Sequence, residues 1–246
     1  MKSVCLLSRR PDSTREAFRD YYETGHSRLG SRYFPFSKYV RNYVLSSAPE
    51  VDFDVITEFF FDDGVDIAGV HSGRVREILD EDERRFMDQS LIRPAGAEEI
   101  LLSGRPRDIA PAGTRRQMLM LSGGGDTSAF RDAVNSWGEE LAAAHARLLR
   151  VTVDYAQSFT PEGEGRFPCD AVLSLWLPEG GSALSGLTPP AAVELRANVL
   201  TEVCESTPEL LQEPRHFLAR NPAGGVTRPA RPLNRAAAQT AWRNLP

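Results

Sequence analysis

Residues 18–29 read FRDYYETGHSRL, and residues 130–141 read FRDAVNSWGEEL. The two stretches open on the same three letters 112 residues apart, and the same interval separates Tyr43 from Tyr155. A second match, FDVITEFFFDDG at 53–64 against CDAVLSLWLPEG at 169–180, holds at an interval of 116. This is the pattern of one unit written twice, with a short insertion in the second copy. His26 of the first copy meets Gly138 of the second, Tyr22 meets Val134, and Glu58 meets Ser174. Had these groups only propped up the unit, the second copy should need them too. Their loss suggests one reactive half and one scaffolding half.

Around His26 the chain alternates between two periods. SVCLLS (3–8) is a short apolar strand, broken by RRPD (9–12). Ser13 with Glu16 forms a capping-box start to a helix whose Phe18, Tyr22 and Leu29 recur near the 3.6 period. SKYVRNYVLSS (37–47) and FDVITEFFF (53–61) read as strands, GRVREILDEDERRFMDQ (73–89) as a helix and EEILLSG (98–104) as a strand. The order βαββαβ is the ferredoxin-like unit. In the second copy RQMLMLS (116–122), RVTVDYAQSFT (150–160) and CDAVLSLWL (169–177) are expected strands, with TSAFRDAVNSWGEELAAAHARLL (127–149) and AAVELRANVLTEVCE (191–205) expected helices and RHFLAR (215–220) a last strand.

The expected fold is therefore α+β: ferredoxin-like repeats over 1–103 and 115–221, a Pro/Gly-rich linker over 104–114, and an Arg- and Pro-bearing carboxyl-terminal arm over 222–246. Pairing two four-stranded sheets face to face buries both bare faces and makes a barrel within one chain. The 246 residues suffice for such a core. A net charge of −5 advertises no nucleic acid or anionic membrane as partner. No stretch nears the roughly 20 apolar residues that span a bilayer, and the protein is expected to be cytoplasmic. Cys5, Cys169 and Cys204 lack paired spacing, and the four histidines are scattered, so no metal site is expected.

Phe18, Tyr22 and His26 stand at i, i+4 and i+8, which puts the imidazole on the buried side of its helix. A structural histidine bonded to backbone is the competing reading. Glu58 interrupts an otherwise hydrophobic strand, where an ionisable carboxyl needs a partner or a cavity that uses it. An ion pair with Arg41 or another arginine competes with the reading in which a raised pKa suits Glu58 for proton transfer beside His26. Nearby tyrosine hydroxyls could assist such a couple in taking a proton from an acidic carbon or a phenol. Tyr33, Tyr39 and Asn42 are candidates to hold a flat ligand, with Trp137 and Trp176 as its opposite wall; core packing competes for each. SGGGD (122–126) is expected to be a turn, and DEDERRFMDQ (80–89) a solvated helical face.

In combination, FRDYYETGH, YVRNYV, FDVITEFFFDD and DEDERRFMD resemble the EthD-like branch of the dimeric α+β barrel superfamily over residues 1–103. The second half resembles the fold without the motif. As a tandem chain it is similar to the ring-opening oxygenases of angucycline biosynthesis. That resemblance implies an oxygenase acting on a planar, phenolic, hydrophobic polycyclic substrate. In that scheme His26 and Glu58 move the phenolic proton, Tyr22 and Tyr43 orient the developing oxyanion, and the ring reacts with O2 or with a flavin hydroperoxide, any reduced flavin being a diffusible co-substrate from a partner reductase. A cofactor-free lyase, cyclase or isomerase using the same base, and a non-catalytic carrier, are the alternative readings. Association into a homo-oligomer is left open.

Overall fold

Period-2 segments with one apolar face become eight antiparallel strands that close into a barrel. They are β1 (Lys2–Leu7), β2 (Lys38–Ala48), β3 (Val55–Phe60), β4 (Arg93–Gly104), β5 (Arg115–Gly123), β6 (Arg150–Ser158), β7 (Ala171–Leu177) and β8 (Val193–Glu205). The computed structural model describes residues 1–65, 70, 73–106, 109–123, 127–160, 162–163 and 165–211. RHFLAR, His71, His216 and the arm over 222–246 lie outside these residues, as does most of SGGGD.

Around the barrel the order is β1-β3-β2-β8-β5-β7-β6-β4. Each half of the chain thus supplies four neighbouring strands, β4-β1-β3-β2 and β8-β5-β7-β6, meeting at the β2–β8 and β4–β6 seams. The registers agree as well: Val4 stands opposite Glu58 in the first half, and Met118 opposite Ser174 in the second.

One expectation fails outright. AAVELRANVLTEVCE forms no helix; its residues make β8, and the described residues between β7 and β8 contain no helix. Val193, Ala197, Val199, Thr201 and Val203 are buried and alternate with partly or fully exposed residues, so the true period is 2. The barrel also needs this strand, because β2 and β5 otherwise keep bare edges.

Helices sit outside the barrel. On the first half lie α1 (Arg15–Tyr21), a π-turn over Tyr22–His26, α2 (Ser27–Tyr33) and α3 (Gly73–Glu83); on the second lies α4 (Thr127–Ala144). Thr14, not Ser13, caps α1, its Oγ1 accepting from the Ala17 N–H at 3.1 Å. The apolar core therefore has layers. One fills the barrel around Val4, Leu6, Ile56, Met118, Met120 and Val199. Another lies under α1 and α2, and a third under α4.

Candidate active site

Between α1 and α2 the helix widens into a π-turn, a feature that recurs at functional sites, and this turn buries both Tyr22 and His26. Tyr22 donates to or accepts from Thr57 Oγ1 at 3.1 Å, and the Tyr39 hydroxyl donates to the Tyr22 oxygen at 3.0 Å. His26 packs against Tyr22 and Phe86, with ring centroids 5.1 and 4.9 Å away. Its Nδ1 lies 2.8 Å from Oδ2 of Asp82, at the end of α3. The Tyr21 hydroxyl donates to the other oxygen of that carboxylate at 2.7 Å.

Burial works to raise the Asp82 pKa, but the hydrogen bonds from His26 and Tyr21 outweigh it and hold the carboxyl below its ordinary range. An ionised Asp82 can only accept, so Nδ1 carries a proton, and in the neutral imidazole it is Nε2 that keeps the lone pair. Nε2 has no hydrogen-bond partner among the described residues.

His26 lines a cavity of about 120 Å³ between the helices and the outer face of the first half's sheet. Phe34, Phe36, Tyr39, Phe59, Phe61 and Met87 form most of its wall. Ser3, Arg76 and Glu83 add polar groups. Phe34, Phe59, Arg76 and Ile92 are half-buried, so the cavity reaches the surface. A base with an open lone pair facing an aromatic-walled space can take a proton from a bound acidic group.

Residues 10–90 match the EthD domain. The EthD segment thus contributes α1, the π-turn, α2, β2, β3 and α3, including His26 and Asp82. No curated protein matches the chain. Among solved structures, the chain is similar to a protein from Lactobacillus acidophilus NCFM provisionally named a monooxygenase, at 8% identity and a TM-score of 0.42, over 72% of this chain and 75% of that one. A protein provisionally named a chlorite dismutase aligns at 11% identity and a TM-score of 0.44, over 82% and 94%. An anthrone oxidase-like protein aligns at 10% identity and a TM-score of 0.46, over 83% and 92%.

Within the EthD segment the expected His26–Glu58 couple does not form. Side chains alternate across β3: Thr57 faces Tyr22 on the helix side, which turns Glu58 into the barrel. There Glu58 pairs with Arg116 of β5, and Lys2 Nζ lies 2.8 Å from its Oε1. Burial alone would raise its pKa, but Arg116 and Lys2 together hold it well below the carboxylate range, the opposite of the sequence expectation. Asn42 joins the same interior network, donating to Glu58 Oε2 at 3.2 Å and accepting from Arg116 at 3.1 Å. Glu99 and Asp154 bring two more carboxylates to Lys2 Nζ, at 2.5 and 2.6 Å. An ammonium thus occupies the centre of the three-carboxylate group.

The remaining candidates divide. Tyr22 and Tyr39 line the cavity beside His26. Tyr43 packs edge-on against Tyr22, but its hydroxyl donates to Glu23 Oε1 at 2.7 Å, away from the cavity. Tyr33, at the end of α2, is not part of the cavity wall. Trp176 stacks with the Arg116 and Arg150 guanidiniums at 4.2 and 3.9 Å, and Trp137 is packed under α4. Neither tryptophan faces the cavity, because both belong to the second half.

Asp82, Tyr21, Glu83, Ser3 and the phenylalanine wall escape the sequence reading. DEDERRFMDQ is not a wholly solvated face: Asp82 and Glu83 are buried. The signal was there, since Leu79, Asp82 and Glu83 stand at i, i+3 and i+4 on one side of α3.

Proposed function

We propose that this cavity binds a phenolic aromatic ring and that His26 Nε2 takes its hydroxyl proton to prime the ring for oxygenation. The observation that carries the reading is the fixed imidazole: Nδ1 tied to Asp82, Nε2 unpartnered, at the wall of an aromatic cavity. Loss of the proton leaves an electron-rich phenolate and an imidazolium stabilised by the Asp82 carboxylate. In the full step a ring carbon bonds to O2, its C–H and the O–O bond break, one oxygen stays as a quinone carbonyl and the other leaves as water. Both electron pairs come from the ring, so phenol plus O2 gives quinone plus water with no external reductant. His26 returns its proton to the departing oxygen.

The cavity's size also bears on the substrate. A cavity of about 150 Å³ holds one benzene ring, so the ≈120 Å³ here suits a single ring, with further rings of a polycyclic compound extending out past Phe34, Phe59 and Ile92. Any flavin in this scheme is a diffusible co-substrate, with no resident place beside the ring. We further read the chain as two tandem units joined at 104–114, a ferredoxin-like one over 1–103 and one over 115–221 that keeps the four strands and the first helix but lacks the second helix. The matching strand order and register of the halves support this.

The test is incubation of candidate phenols with the protein under 18O2, with and without reduced flavin and a reductase. Label in the product only when flavin is supplied would restore the flavin co-substrate. Turnover under strict anaerobiosis would move the reaction to the lyase or isomerase class.

A further inference from the structure

Three polar atoms at the cavity lack a partner among the described residues. One is His26 Nε2. The second is Oε1 of Glu83: the Arg76 and Gln89 donors both go to its Oε2, the latter at 3.1 Å. The third is Ser3 Oγ, fully buried on β1 and without a hydrogen bond. Buried polar groups are nearly always satisfied, and each exception calls for a ligand, a water or a catalytic reason. Ser3 Oγ is such an exception, and His26 and Glu83 bring two open acceptor atoms to the wall of the same cavity, so one ligand can answer all three. Two of them, Nε2 and Oε1, are acceptors; the serine hydroxyl can donate as well as accept. A phenolic hydroxyl has the matching pattern, one hydrogen to give and lone pairs to offer.

We propose that Glu83 and Ser3 recognise a second hydroxyl on the same ring whose first hydroxyl meets His26, so that the cavity selects di- or polyhydroxylated aromatics over simple phenols. Glu83 Oε1 accepts from that second hydroxyl, and Ser3 donates to a ligand oxygen. The pair of donors on Oε2 fixes the Glu83 carboxylate in place beforehand, which lowers the cost of ordering it on binding. The inference rests on the reading of His26 given above, but its failure is separable from that reading.

The experiment is calorimetric titration of the full chain with phenol, catechol, resorcinol and hydroquinone. The three diphenols scan the separation of the two hydroxyls. At least one of them should bind about tenfold tighter than phenol, or better, as expected for an added hydrogen bond to a charged group. In Glu83→Gln that preference should shrink to about threefold or less while phenol binds as before. Ser3→Ala should weaken the preferred diphenol yet leave the melting temperature of the free protein unchanged or raised, since it removes an unsatisfied hydroxyl; a merely structural serine would lower it. Diphenols that bind no tighter than phenol, or a preference that survives Glu83→Gln, would overturn the proposal. His26→Gln should weaken phenol and diphenols alike and keep their ratio. Unchanged phenol binding in that variant would defeat the base reading and leave the role of Glu83 standing, whereas no binding of any probe would defeat both.

Discussion

The two halves place a helix over the same kind of sheet and do opposite things beneath it. In the first, the π-turn and two short helices leave a cavity at His26, and α3 brings in Asp82 and Glu83. In the second, α4 runs unbroken for 18 residues and lies close to the strands. At Gly138, the counterpart of His26, an added Cβ would stand 2.4 Å from Leu102 Cδ1 and 3.0 Å from Leu173 Cδ1. Phe130, Val134, Trp137 and Leu141 fill the remaining space. The second half also has no helix between β7 and β8, so the element that would supply an acid to a histidine is missing along with the histidine. The second half holds neither such a histidine nor such an acid, and a packed layer lies where the first half has its cavity.

That contrast can be broken from either side. The largest effect should come from His26→Gln, which removes the base and should cut turnover of a phenolic substrate about 10²- to 10⁴-fold with little change in melting temperature. Steady-state kinetics alongside a thermal melt separates the two. Next is Arg116→Met inside the barrel, which leaves the buried Glu58 carboxylate with Lys2 as its remaining cation. Removing one member of a buried pair should cost about 3–5 kcal/mol in urea unfolding, with catalysis per folded molecule unaffected. A loss of catalysis instead would put Glu58 back in the chemistry.

Gly138→His writes the first half's residue into the second. With no space beneath α4 it should destabilise by about 3 kcal/mol, the upper end of overpacking costs, and create no second site. The smallest effect concerns Asp154. Burial raises its pKa from 3.8 to about 6. The folded chain therefore holds a proton that the unfolded chain releases in between, so this group's contribution to stability is full at low pH and is lost as the pH rises through about 6. Wild type should gain about 1 kcal/mol relative to Asp154→Asn on going from pH 7 to pH 5, measured by denaturant titration at both.

Much of the fold was legible. The alternating strands and the first helix follow from local periods, and local periods survive folding, although the cap falls on Thr14 one residue past the expected Ser13. β8 was missed because Ala192, Leu195, Val199 and Val203, at i, i+3, i+7 and i+11, also fit a helical stripe, and only closure of the barrel decides between the two. The site was half legible. His26 could be placed on a buried face from its spacing to Phe18 and Tyr22, but its partner lies 56 residues away on another helix. Glu58 misled for a related reason. Its burial was readable, whereas its side of the sheet and its partner Arg116 depend on how the halves meet.

The first half alone should hold a ligand, outside the barrel and beside His26. Diffraction from crystals soaked in 4-bromophenol tests this most directly, because the bromine's anomalous signal locates the ring without interpretation. One bromine peak is expected within the wall of Phe36, Tyr39, Phe59 and Phe61, with the phenolic oxygen at hydrogen-bonding distance from Nε2. A peak inside the barrel near Glu58, or beneath α4 beside Trp137, would contradict it.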